Sequence, residues 1–375
     1  MKEVPMWAIN ERKDWDSLAT RFEWVSRMEG VQQDPIYHAE GNVAIHTQMV
    51  LAALVAQPAY RQLAAQEQEI LWTAALLHDV EKYSTTVVEP DGRITSNGHA
   101  RKGAMTARQI LYRDVPAPFA VREQVVGLVR YHGLPLWVFE KPDPAKALIM
   151  ASMEVNTEWL TLLARADVLG RTCTDQEEML FKVDCFEAFC REQNCWGTAR
   201  NFANDDAMMY YLQHDDAYAD YVPFEQAAFE VILMSGLPGA GKNTFIQKHY
   251  PDMPVVCLDD IRTARGISPT DKSGNGQVVQ EAKELARIYL RKQTGFIWNA
   301  TNTTRQMRQQ LVDLFTTYKA RVRIVYVEVP YTHLHRQNKS RDAAVPDAVL
   351  DRLIDKLEVP ALWEAHQVEY NSAPY

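Results

Sequence analysis

A long apolar run, a cysteine framework and a basic surplus are all missing from this chain, and each absence removes a class of protein. The opening Met1-Lys-Glu-Val-Pro is followed by Glu11, Arg12, Lys13 and Asp14 before any apolar stretch long enough for a signal peptide or a membrane span. A cytoplasmic protein with no membrane attachment is therefore expected. Five cysteines is an odd number, and Cys185, Cys190 and Cys195 recur every five residues instead of in the C-x-x-C pairs that zinc sites favour. They read as reduced thiols, and no zinc knuckle is expected. The formal net charge of -9 argues against a protein that coats nucleic acid, because neutralising many phosphates takes clustered Lys and Arg. A narrow basic site gripping one strand end remains compatible with that charge. Neither repeats nor low-complexity tracts occur.

What is present suffices for two ordinary domains. The chain has 375 residues, 47% of them apolar and 24% charged, which matches soluble globular proteins. From about Asp34 to Gln193 the apolar residues recur at helical spacing, as in Val43-Ala-Ile-His-Thr-Gln-Met-Val-Leu-Ala-Ala-Leu54, and runs of β-branched residues are nearly absent. An all-α domain is expected over 1–196. Residues 197–226 read as a connecting segment, helical in part, whose acidic residues form a solvated face. Beyond it, short apolar strands at Phe229–Ser235, Val255–Leu258, Gly295–Trp298 and Val322–Val329 alternate with helices, so 227–375 should be an α/β domain on a parallel sheet.

The helical half carries His46, His78, Asp79, His99, His132 and Asp167 in that order. A His-Asp dipeptide alone means little; His214-Asp215 is one without obvious partners. The pair at His78-Asp79 differs because it ends an apolar helix and further imidazoles and carboxylates flank it. His46, His78, Asp79 and Asp167 can form one divalent site, a donor mixture suited to borderline transition metals. His99 and His132 can supply a second, with Asp79 bridging, so that two ions together hold a phosphate and activate water. Lys82 lies one helical turn after His78, and Arg171 bears the same relation to Asp167. Each is either a phosphate contact or a surface ion-pair partner; Arg101 and Lys102 after His99 are similarly placed.

The α/β half opens with Gly236-Leu-Pro-Gly239-Ala-Gly241-Lys242-Asn243-Thr244 between a strand and a helix, the context a phosphate-binding loop requires. Its backbone N–H groups would wrap a β-phosphate at a helix N-terminus while Lys242 reaches the β and γ oxygens. Asn243 stands where Ser or Thr normally gives Mg²⁺ a hydroxyl; an amide oxygen can still ligate a hard cation. After the second strand, Asp259-Asp260-Ile-Arg262 places a carboxylate able to accept a hydroxyl proton and an Arg able to hold an acceptor phosphate, or else a carboxylate that only holds Mg²⁺. Thr301-Asn302 follows the third strand. The run His335–Pro346 reads as a basic lid, with Arg341, then Arg336, as the arginine on the transferring phosphate.

The first half resembles the HD phosphohydrolase superfamily in the form with two extra histidines. Its matching segments are Ile45-His46, Leu77-His78-Asp79-Val-Glu-Lys82, Gly98-His99-Ala-Arg-Lys-Gly103-Ala, Tyr131-His132-Gly and Ala166-Asp167. The second resembles the phage-type 5′-OH polynucleotide kinases through the Gly-rich loop, Asp259-Asp260-x-Arg262, Thr301-Asn302 and Asn338-x-x-Arg341 leading to Val345-Pro346. By that resemblance Asp259 is the general base, Arg262 contacts the acceptor phosphate and Arg341 the γ-phosphate; Ala300 stands where the family often has an acidic residue. Together the halves look like the bacterial HD-domain polynucleotide kinases.

The resemblance implies an RNA end-healing enzyme acting on RNA or DNA termini ahead of a separate RNA ligase. It implies ATP or another NTP with Mg²⁺ at the kinase site, and one or two of Mn²⁺, Ni²⁺, Co²⁺ or Zn²⁺ at the HD site. A homo-oligomer is left open. The rival readings are an enzyme of free nucleotides or small metabolites, and an NTP sensor controlling the HD domain.

Overall fold

The computed structural model describes residues 6–224, 227–268, 271–340 and 344–373. The chain divides into two compact units, Met1–Asn201 and Phe202–Tyr375. The first is helical. Helices Val43–Ala56, Ala65–Leu77, His99–Gln109, Phe119–Tyr131, Thr157–Leu169 and Gln176–Glu192 surround one apolar core. Helix Ala65–Leu77 is buried on every side from Glu69 onward, as its lack of a polar face requires, and it delivers His78-Asp79 into the interior. Asn42 starts helix Val43–Ala56 by accepting the Ile45 N–H at 2.9 Å, which sets His46 in the first turn. Gly170 lets the end of helix Thr157–Leu169 approach that helix closely: a Cβ there would stand 2.6 Å from Val50 Cγ2 and 2.7 Å from Val50 N. That approach brings Asp167 against His46.

One feature departs from the all-α expectation. Strands β1 (Val87–Val88) and β2 (Ile94–Thr95) form an antiparallel hairpin around Glu89-Pro-Asp-Gly92, where Gly92 takes a φ of +88°. The Pro-Asp-Gly turn chemistry was the signal for it.

The second unit is built on a five-stranded sheet in the order β4-β5-β3-β6-β7, parallel throughout: β3 (Phe229–Ser235), β4 (Val255–Cys257), β5 (Phe296–Asn299), β6 (Ala320–Glu328) and β7 (Gln367–Ser372). Burial on both faces explains the unbroken apolar runs of β3 and β5. Edge strand β7, Gln-Val-Glu-Tyr-Asn-Ser, has no such run and was not expected; its backbone pairing with β6 makes it a strand. The second strand ends at Cys257, and Leu258 already begins helix Leu258–Ala264.

Of the segment expected to connect the domains, residues 197–201 belong to the first unit and residues 202–224 to the second. Helix Asp205–Gln213 packs Met209 into the sheet's core. Its acidic start is no solvated face, because Asp205 and Asp206 pair with Arg321 at 2.9 and 2.6 Å. All five cysteines are free thiols. Among the described residues no helix is long and apolar enough to cross a membrane.

Candidate functional sites

In the helical unit four imidazoles converge with their Nδ1 atoms turned outward. Nδ1 of His78 lies 2.7 Å from the Ala75 carbonyl, that of His99 2.7 Å from Ser96 O, and that of His132 2.9 Å from Val129 O. Each of these carbonyls comes three residues earlier in the chain. Nδ1 of His46 lies 3.2 Å from Gly170 O and 3.0 Å from a Glu40 carboxylate oxygen. Carbonyl oxygens only accept, so Nδ1 carries the proton and Nε2 is the ligating atom on every ring.

The Nε2 atoms form two groups around the two oxygens of Asp79. Oδ2 stands 3.7 Å from His46 Nε2 and 3.2 Å from His78 Nε2, and those two nitrogens are 3.4 Å apart. Asp167 Oδ1 closes this group 3.1 Å from His46 Nε2. Oδ1 of Asp79 stands 3.4 Å from His99 Nε2, which is 3.2 Å from His132 Nε2. The donor atoms of His46, His78 and Asp79 lie within 4.8 Å of one another, as do those of Asp79, His99 and His132, a span a single ion can bridge.

The electrostatics fit a cation. Burial, with His99 and His78 nearby, pushes His132 down to about 3, and burial lowers His99 as well, so both rings are neutral. Two nitrogen lone pairs then face each other. Burial would raise the Asp79 carboxyl, but His78 and Lys82 outweigh it and hold it well below the usual carboxylate range. Neither Asp79 oxygen accepts a well-formed hydrogen bond, although both are buried. Buried Asp79 oxygens that lack a hydrogen bond, with the Lys82 ammonium beside Oδ2 alone, and opposed imidazole nitrogens both favour a positive ion between them. Asp167 is likewise held low against burial, by Arg171 and His46. His46 is raised despite burial by Asp167 and Glu40, so an ion entering its group displaces a proton.

Lys82 and Arg171 are not surface partners. Lys82 is buried, with Nζ 2.8 Å from Asp79 Oδ2 and 2.6 Å from Gln33 Oε1. Arg171 grips Asp167 through two bonds of 3.1 and 2.6 Å. Lys102 instead meets Glu81 and Ser84 at the surface, and Arg101 is exposed. Sequence reasoning missed Glu40 and His38. Glu40 accepts from His38 Nδ1 at 2.8 Å and from the Thr172 N–H at 2.8 Å as well as from His46, which fixes the His46 ring.

In the second unit the parallel strands bring their carboxyl ends to one edge, where α/β proteins place reacting groups. The loop after β3 is cradle-shaped: Gly236, Gly239 and Gly241 take φ values of +142°, +83° and +100°. At Gly236 a Cβ would lie 2.3 Å from Val327 O, so only glycine fits. Lys242 Nζ donates to the carbonyls of Gly236 and Leu237 at 2.8 and 2.9 Å, arched over the loop. Thr244 is exposed one residue after Asn243. The cradle suits phosphate, and Asn243 sets a carboxamide at its rim whose Oδ1 accepts from Asn299.

Asp259 lies in the first turn of helix Leu258–Ala264 with its side chain 73% exposed, and it is ion-paired with Arg262. Arg262 Nε also donates to Asn275 Oδ1 at 2.9 Å. Asn302 has a structural place: buried at a φ of +44°, it donates to Met234 O at 2.7 Å, while the Thr301 carbonyl accepts the Gly236 N–H at 2.9 Å. Ala300 is partly buried against the apolar core, and its neighbour Asn299 meets Asn243 at the loop. Asn338 packs against Gly239 and bonds both backbone groups of Val345. Arg336 is exposed; Arg341 lies outside the described residues.

Comparison with known proteins agrees with this division. Residues 43–171 match the HD domain, and residues 231–360 match an AAA domain family. The multifunctional CCA protein of Halorhodospira halophila is 33% identical over 132 residues, 35% of this chain and 29% of that protein. That of Thioalkalivibrio sulfidiphilus is 30% identical over 168 residues, 43% of this chain and 37% of its own length. The L-seryl-tRNA(Sec) kinase of Methanococcus maripaludis is 22% identical over 135 residues, 35% of this chain and 53% of that one. The chain thus spans between about a quarter and about half of the length of these relatives. It joins a helical HD domain, with a candidate His/Asp metal site, to an α/β domain of the P-loop kinase fold.

Proposed function

We propose that this is a bifunctional RNA end-healing enzyme. Its P-loop half phosphorylates 5′-OH polynucleotide ends with ATP or another NTP and Mg²⁺. Its HD half, loaded with divalent ions such as Mn²⁺, Ni²⁺, Co²⁺ or Zn²⁺, removes a 2′,3′-cyclic phosphate or 2′-phosphate. RNA cleavage by transesterification leaves those two kinds of terminus, and neither can be ligated as it stands. A separate ligase would then join the healed ends.

The observation that carries the reading is the presence in one chain of a paired metal site sharing Asp79 and a phosphate cradle with an exposed carboxylate and arginine at the same sheet edge. Asp259 would accept the proton of the attacking hydroxyl while Arg262 holds a neighbouring phosphate. Arg341 would meet the γ-phosphate. His46, His78, Asp79 and Asp167 would hold one ion, and Asp79, His99 and His132 the other. The bound ions polarise the phosphate and lower the pKa of water. Lys82 adds a positive charge beside them. The relatives' names, two CCA proteins and a kinase of a tRNA-borne serine, support an RNA substrate.

The test is incubation with Mg²⁺, ATP and Mn²⁺ and an RNA oligonucleotide carrying a 5′-OH and a 2′,3′-cyclic phosphate, both ends read by mass spectrometry. Gain of a 5′-phosphate with loss of the terminal phosphate is expected. Unchanged RNA beside tight ATP binding would overturn the proposal in favour of a small-molecule substrate or an NTP sensor.

A further inference from the structure

Asn243 entered the sequence reading as an amide able to ligate Mg²⁺, whereas its partner Asn299 has no part in the reading above. P-loop NTPases hold the Mg²⁺ of their nucleotide with the loop's Ser or Thr hydroxyl and an Asp carboxylate. Here the residue after the loop lysine is Asn243, and the side chain meeting it is Asn299, the last residue of β5. Asn299 Nδ2 donates to Asn243 Oδ1 at 2.8 Å. The donor is rigidly seated: Asn299 is 7% exposed, and its amide also contacts Cys257 Sγ at 3.8 Å, on the residue paired with it across the β4–β5 ladder. Asn243 is exposed in the first helical turn after the loop.

The direction of this bond matters. An amide oxygen has two lone pairs, so accepting one N–H leaves the other for a cation. Because Asn299 supplies a donor, the Asn243 carboxamide is held oxygen-first; an Asp at 299 could only accept and would draw the amide nitrogen instead. The pair carries no charge, whereas a hydroxyl and a carboxylate would bring one negative charge to the metal. Asp259, at the same sheet edge, is already paired with Arg262.

We propose that Asn299 is a positioning residue that aims Asn243 Oδ1 at the Mg²⁺ of a bound nucleotide. The P-loop half then holds its metal through a neutral amide oxygen and the nucleotide's own phosphates. The inference rests on the reading that this half binds an NTP, and its test separates the two.

ATP affinity of the full chain is measured by calorimetry in EDTA and across a Mg²⁺ titration. Loss of an outer-shell partner costs roughly 10–100-fold in metal affinity. Asn299→Ala should therefore leave the EDTA affinity unchanged and raise the Mg²⁺ concentration at half-effect about tenfold or more. Asn243→Ala, at an exposed position, should do the same and carries the test if Asn299→Ala fails to fold. The double variant should be no worse than either single one, since both remove one interaction. Equal losses with and without Mg²⁺ would mean a merely structural pair, and an unmoved Mg²⁺ curve in both alanine variants would mean no metal role; either overturns the proposal. Wild-type protein that binds no ATP in any condition would remove the kinase reading itself.

Discussion

Replacing Glu40 by Gln tests whether the helical unit holds two distinguishable ions. The carboxylate is almost fully buried and accepts from His46 Nδ1 at 3.0 Å, His38 Nδ1 at 2.8 Å and the Thr172 N–H at 2.8 Å. Gln has nearly the same shape but one accepting oxygen, and its NH₂ must face a donor that the carboxylate now satisfies. With the NH₂ in the place of Oε1, which His46 and His38 share, His46 keeps only the Gly170 carbonyl, at 3.2 Å, on its Nδ1; with the NH₂ in the place of Oε2 it faces the Thr172 N–H and the brace is strained from that side. Losing such an outer-shell partner typically weakens metal binding about 10–100-fold, or roughly 1.4–2.8 kcal/mol at about 1.4 kcal/mol per decade. Glu40 makes none of these contacts with His99 or His132, so the ion between them should bind as in the wild type. Mn²⁺ titration with metal content read by mass spectrometry should show one site weakened and one unmoved, with ATP affinity as the control for folding. Equal weakening of both sites, or of neither, would refute the two-group geometry and the orienting role of Glu40.

Other perturbations should separate cleanly. Asp79→Ala should abolish phosphate removal and leave 5′-phosphorylation intact, and Lys242→Ala the reverse; loss of both from Asp79→Ala in a folded protein would sink the two-site reading. Arg308→Met should destabilise the second unit by about 3–5 kcal/mol, because it strands the buried Glu364 carboxylate that Arg308 holds at 2.6 and 2.8 Å; an unchanged urea midpoint would show the pair to be inert. Glu123 is brought down to about 2, against the raising effect of burial, by Arg108 and Arg122. Its folded pKa lies below its unfolded one, so its stabilisation is full above the ordinary Glu range near pH 4.5 and is lost as pH falls toward 2. The urea-midpoint gap between wild type and Glu123→Gln should shrink over that window, and a gap constant with pH would contradict the assignment.

Several errors in reading the sequence share one cause. Glu40 and His38 sit in a loop with no periodicity, and only the fold turns them onto His46. Strand β7 has no apolar run because an edge strand needs backbone pairing more than burial. Asp206 looked like a surface charge until Arg321 met it from β6, far along the chain. Asn299 drew no notice in the sequence, and only the fold sets it against Asn243.

By itself the sequence determined two domains of different class, the order of the His and Asp ligands and the glycine loop with its lysine. Each of these is written in local periodicity or in residues close together in the chain. Tertiary structure alone decided that Asp79 divides its two oxygens between two histidine groups, that Glu40 braces one of them, and that Asn299 meets Asn243. Most of those contacts join residues dozens of positions apart, and even Glu40 and His46, six apart, meet only through the fold of the loop between them; no local pattern encodes them.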